Sequence, residues 1–79
     1  MLIHIGHDNW VSKSRVVAVL TQSSSAGKRL RDTAESQNKL LDATHGKKTR
    51  SMIITDSNHV ILSLIQSDTI AERFNSNAD

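Results

Sequence analysis

The chain has 79 residues, ten of them Lys or Arg and eight Asp or Glu, for a net charge of +2, a size that allows one domain. A domain this small buries only ~60% of the surface its unfolded chain exposes, so it calls for disulfides, a metal or self-association as extra support. There is no Cys, which excludes disulfides and thiolate metal sites; Trp10 and Phe74 are its only Phe, Tyr or Trp residues, so the core must be aliphatic and self-association is the expected support.

The N-terminal segment MLIHIGHDNW has no basic start and no long apolar run, unlike a signal peptide or membrane span. The expectation is a soluble cytoplasmic protein. Leu2, Ile3 and Ile5 predict a short first strand, ended by a turn at 6–9. Residues 15–21 predict a second strand with two apolar faces, Val16, Ala18 and Leu20 on one and Val17 and Val19 on the other. Ser23, Ser24 and Ser25 offer hydroxyls to cap a helix. Within 26–38, Ala26, Leu30 and Ala34 recur every fourth residue and form one thin apolar stripe. Lys28–Asp32 and Arg31–Glu35 add i,i+4 pairs worth ~0.2–0.5 kcal/mol each.

Leu40 and Leu41 lead into a third strand. Residues 51–55 and 60–65 predict two strong strands, joined by the hairpin-type side chains of Asp56, Ser57, Asn58 and His59. Val60, Leu62 and Leu64 share one face of the last strand, with Ile61 and Ile65 on the other. Ser67 is placed to cap a final helix, with Asp68 near its positive end and Ile70, Ala71 and Phe74 facing inward. The whole reads as an α+β domain over 1–74, a small, mostly antiparallel sheet with one main helix and a short C-terminal helix, followed by a polar tail at 75–79. One helix cannot cover both faces of such strands, so the second face is expected to bury against another copy of the chain.

The stretch DATHGKKTR at 42–50 carries the chemistry. Lys47, Lys48 and Arg50 crowd a turn punctuated by Gly46, and their mutual repulsion favours an anionic partner such as phosphate. Charge is unevenly spread around them: between Lys13 and Arg50 there are nine cations against three acids, while the remainder is acidic. That asymmetry points to nucleic acid. A solvated turn that merely keeps the protein soluble is the plainer alternative.

Catalytic and metal-binding arrangements do not assemble from the remaining residues. Ala26-Gly27-Lys28 lacks the upstream Gly and following Ser or Thr of a phosphate-binding loop. His4 and His7 fall on opposite faces of a strand, without partners to complete a metal site. Asp42, His45 and Ser51 have no oxyanion loop to make them a triad, and Asp42 is better explained as accepting hydrogen bonds from its own turn, helped by Thr44. Trp10 is expected as a core or interface anchor rather than a base-stacking platform. The expectation is therefore no catalytic or metal-binding residue, no cofactor and no small-molecule substrate.

Three segments, VSKSR at 11–15, DATHGKKTR at 42–50 and DSNHVILS at 56–63, together with the chain from about 3 to 74, resemble the bacterial extracellular matrix regulatory protein family, RemA-like. The resemblance implies a fold like that of LytTR-type DNA-binding domains, assembled into a closed homo-oligomeric ring with double-stranded DNA running around its outside. It implies a transcriptional regulator or histone-like nucleoid organiser, without a membrane partner. An Arg of the 11–15 segment and two consecutive basic turn residues contact DNA in the family's pattern; here these are Arg15, Lys47 and Lys48, and Arg50 joins them from the same turn. The family often has Arg-Arg where this chain has Lys47-Lys48, which implies phosphate grip with less base discrimination. The family commonly has a Pro before the main helix; this chain has Ser25-Ala26-Gly27, which implies a looser helix start. An RNA-binding ring and an interaction scaffold that binds no nucleic acid are the alternative readings.

Overall fold

Left-handed backbone punctuates the chain at residues that tolerate it. His7 and Asp8, Asn38, His45 with Gly46, and Asn58 all have positive φ, and each sits at a reversal between elements. In the computed structural model, which describes residues 1–76, these reversals separate six strands and two helices. They are β1 (Leu2–Gly6), β2 (Asn9–Ser12), β3 (Val16–Thr21), α1 (Ser25–Ser36), β4 (Leu40–Asp42), β5 (Ser51–Thr55), β6 (Val60–Ser63) and α2 (Ser67–Asn75). A 3-10 turn, Lys13–Arg15, leads into β3. Of the expected tail at 75–79, Asn75 closes α2 and 77–79 lie outside the described residues.

The fold is α+β with two sheets rather than the single one expected. Strands β1 and β2 form an antiparallel hairpin in which His4 stands opposite Trp10 and Ile3 opposite Val11. The second strand of this hairpin was not expected: Asn-Trp-Val-Ser buries only Val11, too little to show a period. The main sheet has the order β3-β5-β6-β4. Its β3–β5 and β5–β6 pairings are antiparallel, and β4 runs parallel to β6.

Both faces of this sheet are covered within the chain, so the argument for a second copy from an uncovered face does not hold. On one face α1 covers Met52, Ile54, Val60 and Leu62 through Ala34. On the other, the β1–β2 hairpin and α2 enclose Ile53 and Ile61 with Ile3, Ile5, Val11 and Ile70. Ile53 and Ile70 are fully buried, each contributing roughly 1.5–3 kcal/mol of transfer free energy. Among the described residues the large apolar side chains left exposed are Met1, Leu2, Trp10, Val17, Leu30 and Leu41.

Several positions depart from simple periodicity. Register slips between Val16 and Ala18, so Val17 is an extra residue that bulges outward and is 65% exposed. The bulge flips Val16 onto the Val19 face, away from Ala18 and Leu20, because one inserted residue reverses the alternation. In α1, Ala26 and Leu30 are exposed and the seated residues are Gly27 and Ala34. Gly27 lets α1 sit close on the sheet: a Cβ there would lie 2.5 Å from the Met52 Cε, and the end of that flexible side chain would have to shift. The helix start is firmly capped despite the absence of Pro: Ser24 Oγ accepts from Gly27 N–H at 3.1 Å. The left-handed Asn38 stops that helix short of the expected 38. Strand β6 ends at Ser63 rather than 65. At α2 the N-cap position belongs to Gln66, which makes no side-chain cap, with Ser67 already helical and Asp68 in the first turn. Ile70 and Phe74 face inward as expected, whereas Ala71 is exposed.

Candidate nucleic-acid interface

The loop from β4 to β5 is built on a braced reversal. Asp42 Oδ1 accepts from the Thr44 amide at 2.9 Å and from its hydroxyl at 2.6 Å, as the Asp-x-Thr spacing predicts. These hydrogen bonds, the hydroxyl's first and then the amide's, hold the Asp42 carboxyl below its ordinary 3.8; the Arg31 charge adds a smaller pull and partial desolvation opposes them. Lys47 N–H then donates to Thr44 O at 3.0 Å across His45 and Gly46, whose φ values of 54° and 78° give a reversal of the I′ kind. Both ends of the loop are tied to β6, through Ala43 N–H to Leu62 O and Arg50 N–H to Ser63 O.

Two further contacts fix the loop against the rest of the fold. The His45 ring stacks on His7, with centroids 3.5 Å apart and planes 24° apart, so the basic loop rests on the tip of the β1–β2 hairpin. Beneath it, two fully buried serines face each other across β5 and β6. Ser63 Oγ donates to Ile5 O at 2.7 Å and accepts from Ile65 N–H; Ser51 Oγ donates to Ile65 O at 2.8 Å. The imagined Asp42–His45–Ser51 triad is thus not assembled, because each member is engaged elsewhere. On this platform Lys47, Lys48 and Arg50 are all exposed. Neither lysine ammonium makes an ion pair or hydrogen bond with the described residues.

Arg15 stands at the other end of the same sheet. Val16 pairs with Thr55 while Thr21 pairs with Ser51, which puts Arg15 beside the β5–β6 turn and the 43–50 loop at the opposite strand ends. The structure therefore groups Lys47, Lys48 and Arg50 but does not bring Arg15 to them. Arg15 Nε donates to both Asp56 carboxylate oxygens, at 2.8 and 2.9 Å. With side chains 60% and 46% exposed, the pair is worth at most ~1 kcal/mol of stability. The turn carrying Asp56 is self-bonded: Thr55 Oγ1 contacts Ser57 Oγ, Ser57 Oγ contacts His59 Nδ1, and His59 N–H donates to Thr55 Oγ1. Lys39 Nζ donates to Ser57 O nearby.

His4 and Trp10 form a tilted ring pair 5.0 Å apart on the outer face of the hairpin. Trp10 is 52% exposed and so is not a core anchor. Among the described residues no group of three or more His, Cys, Asp or Glu side chains gathers as a metal would require. No helix there is long and apolar enough to cross a membrane.

The fold and the braced loop define a small α+β protein that displays a cluster of cations on a fixed turn. The family model for RemA-like, extracellular matrix regulatory protein A-like proteins matches residues 2–74. A protein of Thermotoga petrophila named "Putative regulatory protein" is 57% identical over 76 residues, covering 96% of this chain and 83% of its own. Relatives bearing the same description occur in Nitratidesulfovibrio vulgaris, 56% identical over 92% of this chain and 83% of that one, and in Thermodesulfovibrio yellowstonii, 55% identical over 95% and 88%. The chain belongs to the RemA-like family of regulatory proteins.

Proposed function

We propose that this chain is a double-stranded DNA-binding regulator, acting on transcription or as a nucleoid organiser, with a LytTR-like fold and a homo-oligomeric ring assembly. The observation that carries the reading is the presentation of Lys47 and Lys48. Two unpaired ammonium groups stand on a reversal anchored at Thr44, His45, Ala43 and Arg50. A turn serving only solubility needs no such bracing.

The placement of Arg15 supports an extended polyanion. Strand β5 is five residues long, so at ~3.3 Å per residue the two cationic ends lie ~16 Å apart. That exceeds the span of one phosphate group and suits a polymer with repeating phosphates. A ring would place the Arg15 end and the 43–50 end on a repeating outer belt, where each weak contact makes the next intramolecular. The exposed Val17, Leu30 and Leu41 supply apolar surface for subunit contacts.

The test is duplex binding across a salt series. If each subunit neutralises phosphates through Lys47 and Lys48, log K falls with log salt at a slope of about −0.9 per phosphate contacted. Lys47→Ala/Lys48→Ala should flatten that slope and weaken binding by at least about tenfold at moderate salt. An unchanged slope and affinity would remove the loop from the interface. The exposed Trp10 is the one feature favouring single-stranded RNA, and competition between duplex DNA and RNA of equal length separates the two readings. Light scattering tests the ring, since a monomer at micromolar concentration contradicts it.

A further inference from the structure

The DSNHVILS segment stands out in the sequence, yet none of its residues has a role in the DNA reading. We infer that Asp56, at its start, is the positioning residue that prepares Arg15 for a backbone phosphate. The inference rests on the duplex-binding reading above.

The geometry is particular. Both carboxylate oxygens of Asp56 are within hydrogen-bond distance of Arg15 Nε. A guanidinium has five N–H donors, one on Nε and the rest on its two Nη atoms. Asp56 therefore engages the Nε end alone, and the Nη donors make no hydrogen bond to the described residues. A side-on pair using Nε and one Nη would have consumed half of the fork. This arrangement holds the plane of the guanidinium and leaves the whole terminal fork for a phosphate.

The carboxylate is itself held in place. Asp56 N–H donates to Arg15 O at 2.9 Å, so backbone and side chain join the two residues twice. The Thr55–Ser57–His59 hydrogen bonds stiffen the turn that carries it, and the left-handed Asn58 closes that turn. An arginine loses much rotamer freedom when a ligand fixes it, and here part of that ordering is already complete. Against this stands the repulsion between the Asp56 charge and an incoming phosphate. Both groups of the pair are about half exposed or more, so solvent and salt screen that repulsion, and the positioning effect prevails.

The experiment is a double-mutant cycle in duplex affinity, using the full chain at fixed moderate salt. Asp56→Ala should weaken binding about fivefold when Arg15 is present and change it less than about twofold in an Arg15→Ala background. Asp56→Glu, which restores a carboxylate, should recover part of the loss. Tighter binding by Asp56→Ala would overturn the inference, because repulsion would then dominate. An equal loss in both backgrounds would also overturn it, since Asp56 would be acting on the fold of its turn; Asp56→Asn, which keeps the side-chain shape, guards against misfolding of the Ala variant and should lose affinity only when Arg15 is present. Wild-type protein that shows no salt-dependent duplex binding sinks the DNA reading and this inference together. Salt-dependent wild-type binding with an uncoupled cycle sinks this inference alone.

Discussion

The two ends of the main sheet display positive charge by different means. At the Arg15 end a carboxylate grips the cation itself, through hydrogen bonds of 2.8 and 2.9 Å from Nε. At the 43–50 end no acid among the described residues touches Lys47 or Lys48, and the fold instead fixes the backbone beneath them through Asp42, the His7–His45 stack and ties to β6. The first end holds its arginine in an ion pair; the second leaves its lysines exposed on a fixed backbone. A cation meant to fit one phosphate geometry benefits from the first design. A cation meant to attract any polyanion at a distance benefits from the second.

Breaking the scaffold of the loop end should have the largest effect. Ser63→Ala leaves Ile5 O and Ile65 N–H without their buried partner, which costs about 1–3 kcal/mol. For a domain of this size that lowers the thermal midpoint by about 4–8 °C per kcal/mol, and a melting curve reads it directly. Substituting Lys47 and Lys48 should leave that midpoint unmoved while the duplex affinity drops, which separates scaffold from display. Asp42→Ala comes next: it loosens the reversal without removing a cation, so duplex affinity should fall by only about two- to threefold with the salt slope preserved.

Acid offers a gentler break of the same bracing. The Asp42 carboxyl has a lowered pKa in the folded protein, so its bonds to Thr44 contribute fully above the ordinary 3.8 and are lost as pH falls below that value toward the lowered one. The protection of the Thr44 amide against hydrogen exchange, relative to its intrinsic rate at each pH, should fall across that window, with that of Ile53 in the core unaffected. The smallest expected change is Lys47→Arg/Lys48→Arg. Total affinity and salt slope should stay nearly constant, while the ratio between preferred and random duplex sequences rises by less than about twofold.

Much of this architecture was legible in the residues, and the failures share a cause. Strands β3, β5 and β6 declare themselves through β-branched runs, and the Asp42–Thr44 turn follows from side-chain chemistry alone. The β1–β2 hairpin did not, because β2 buries one side chain, and missing it left a sheet face apparently bare. The Val17 bulge is invisible to a period of two. Gly27 resembled a fragment of a phosphate loop, when its role is to let α1 approach Met52. Within the candidate site, the loop cations stand out by type and context, whereas Arg15 is a candidate only through the resemblance to the family's pattern. Their separation to opposite strand ends needed the β3–β5 register, and Asp56 needed the pairing of residues 41 positions apart. Asp-Ser-x-His was a visible pattern without a visible partner.

The bulge at Val17 has a consequence for the open edges of the main sheet. Strand β3 is an open edge of the main sheet, and β4 at the opposite edge has only three residues. Flat, long edges invite unlimited strand-on-strand growth, whereas a kinked edge and a short one frustrate it. Val17 distorts the hydrogen-bonding line of the longer edge at its entry. Neither edge of the main sheet therefore offers a long regular strand on which a fibre could grow.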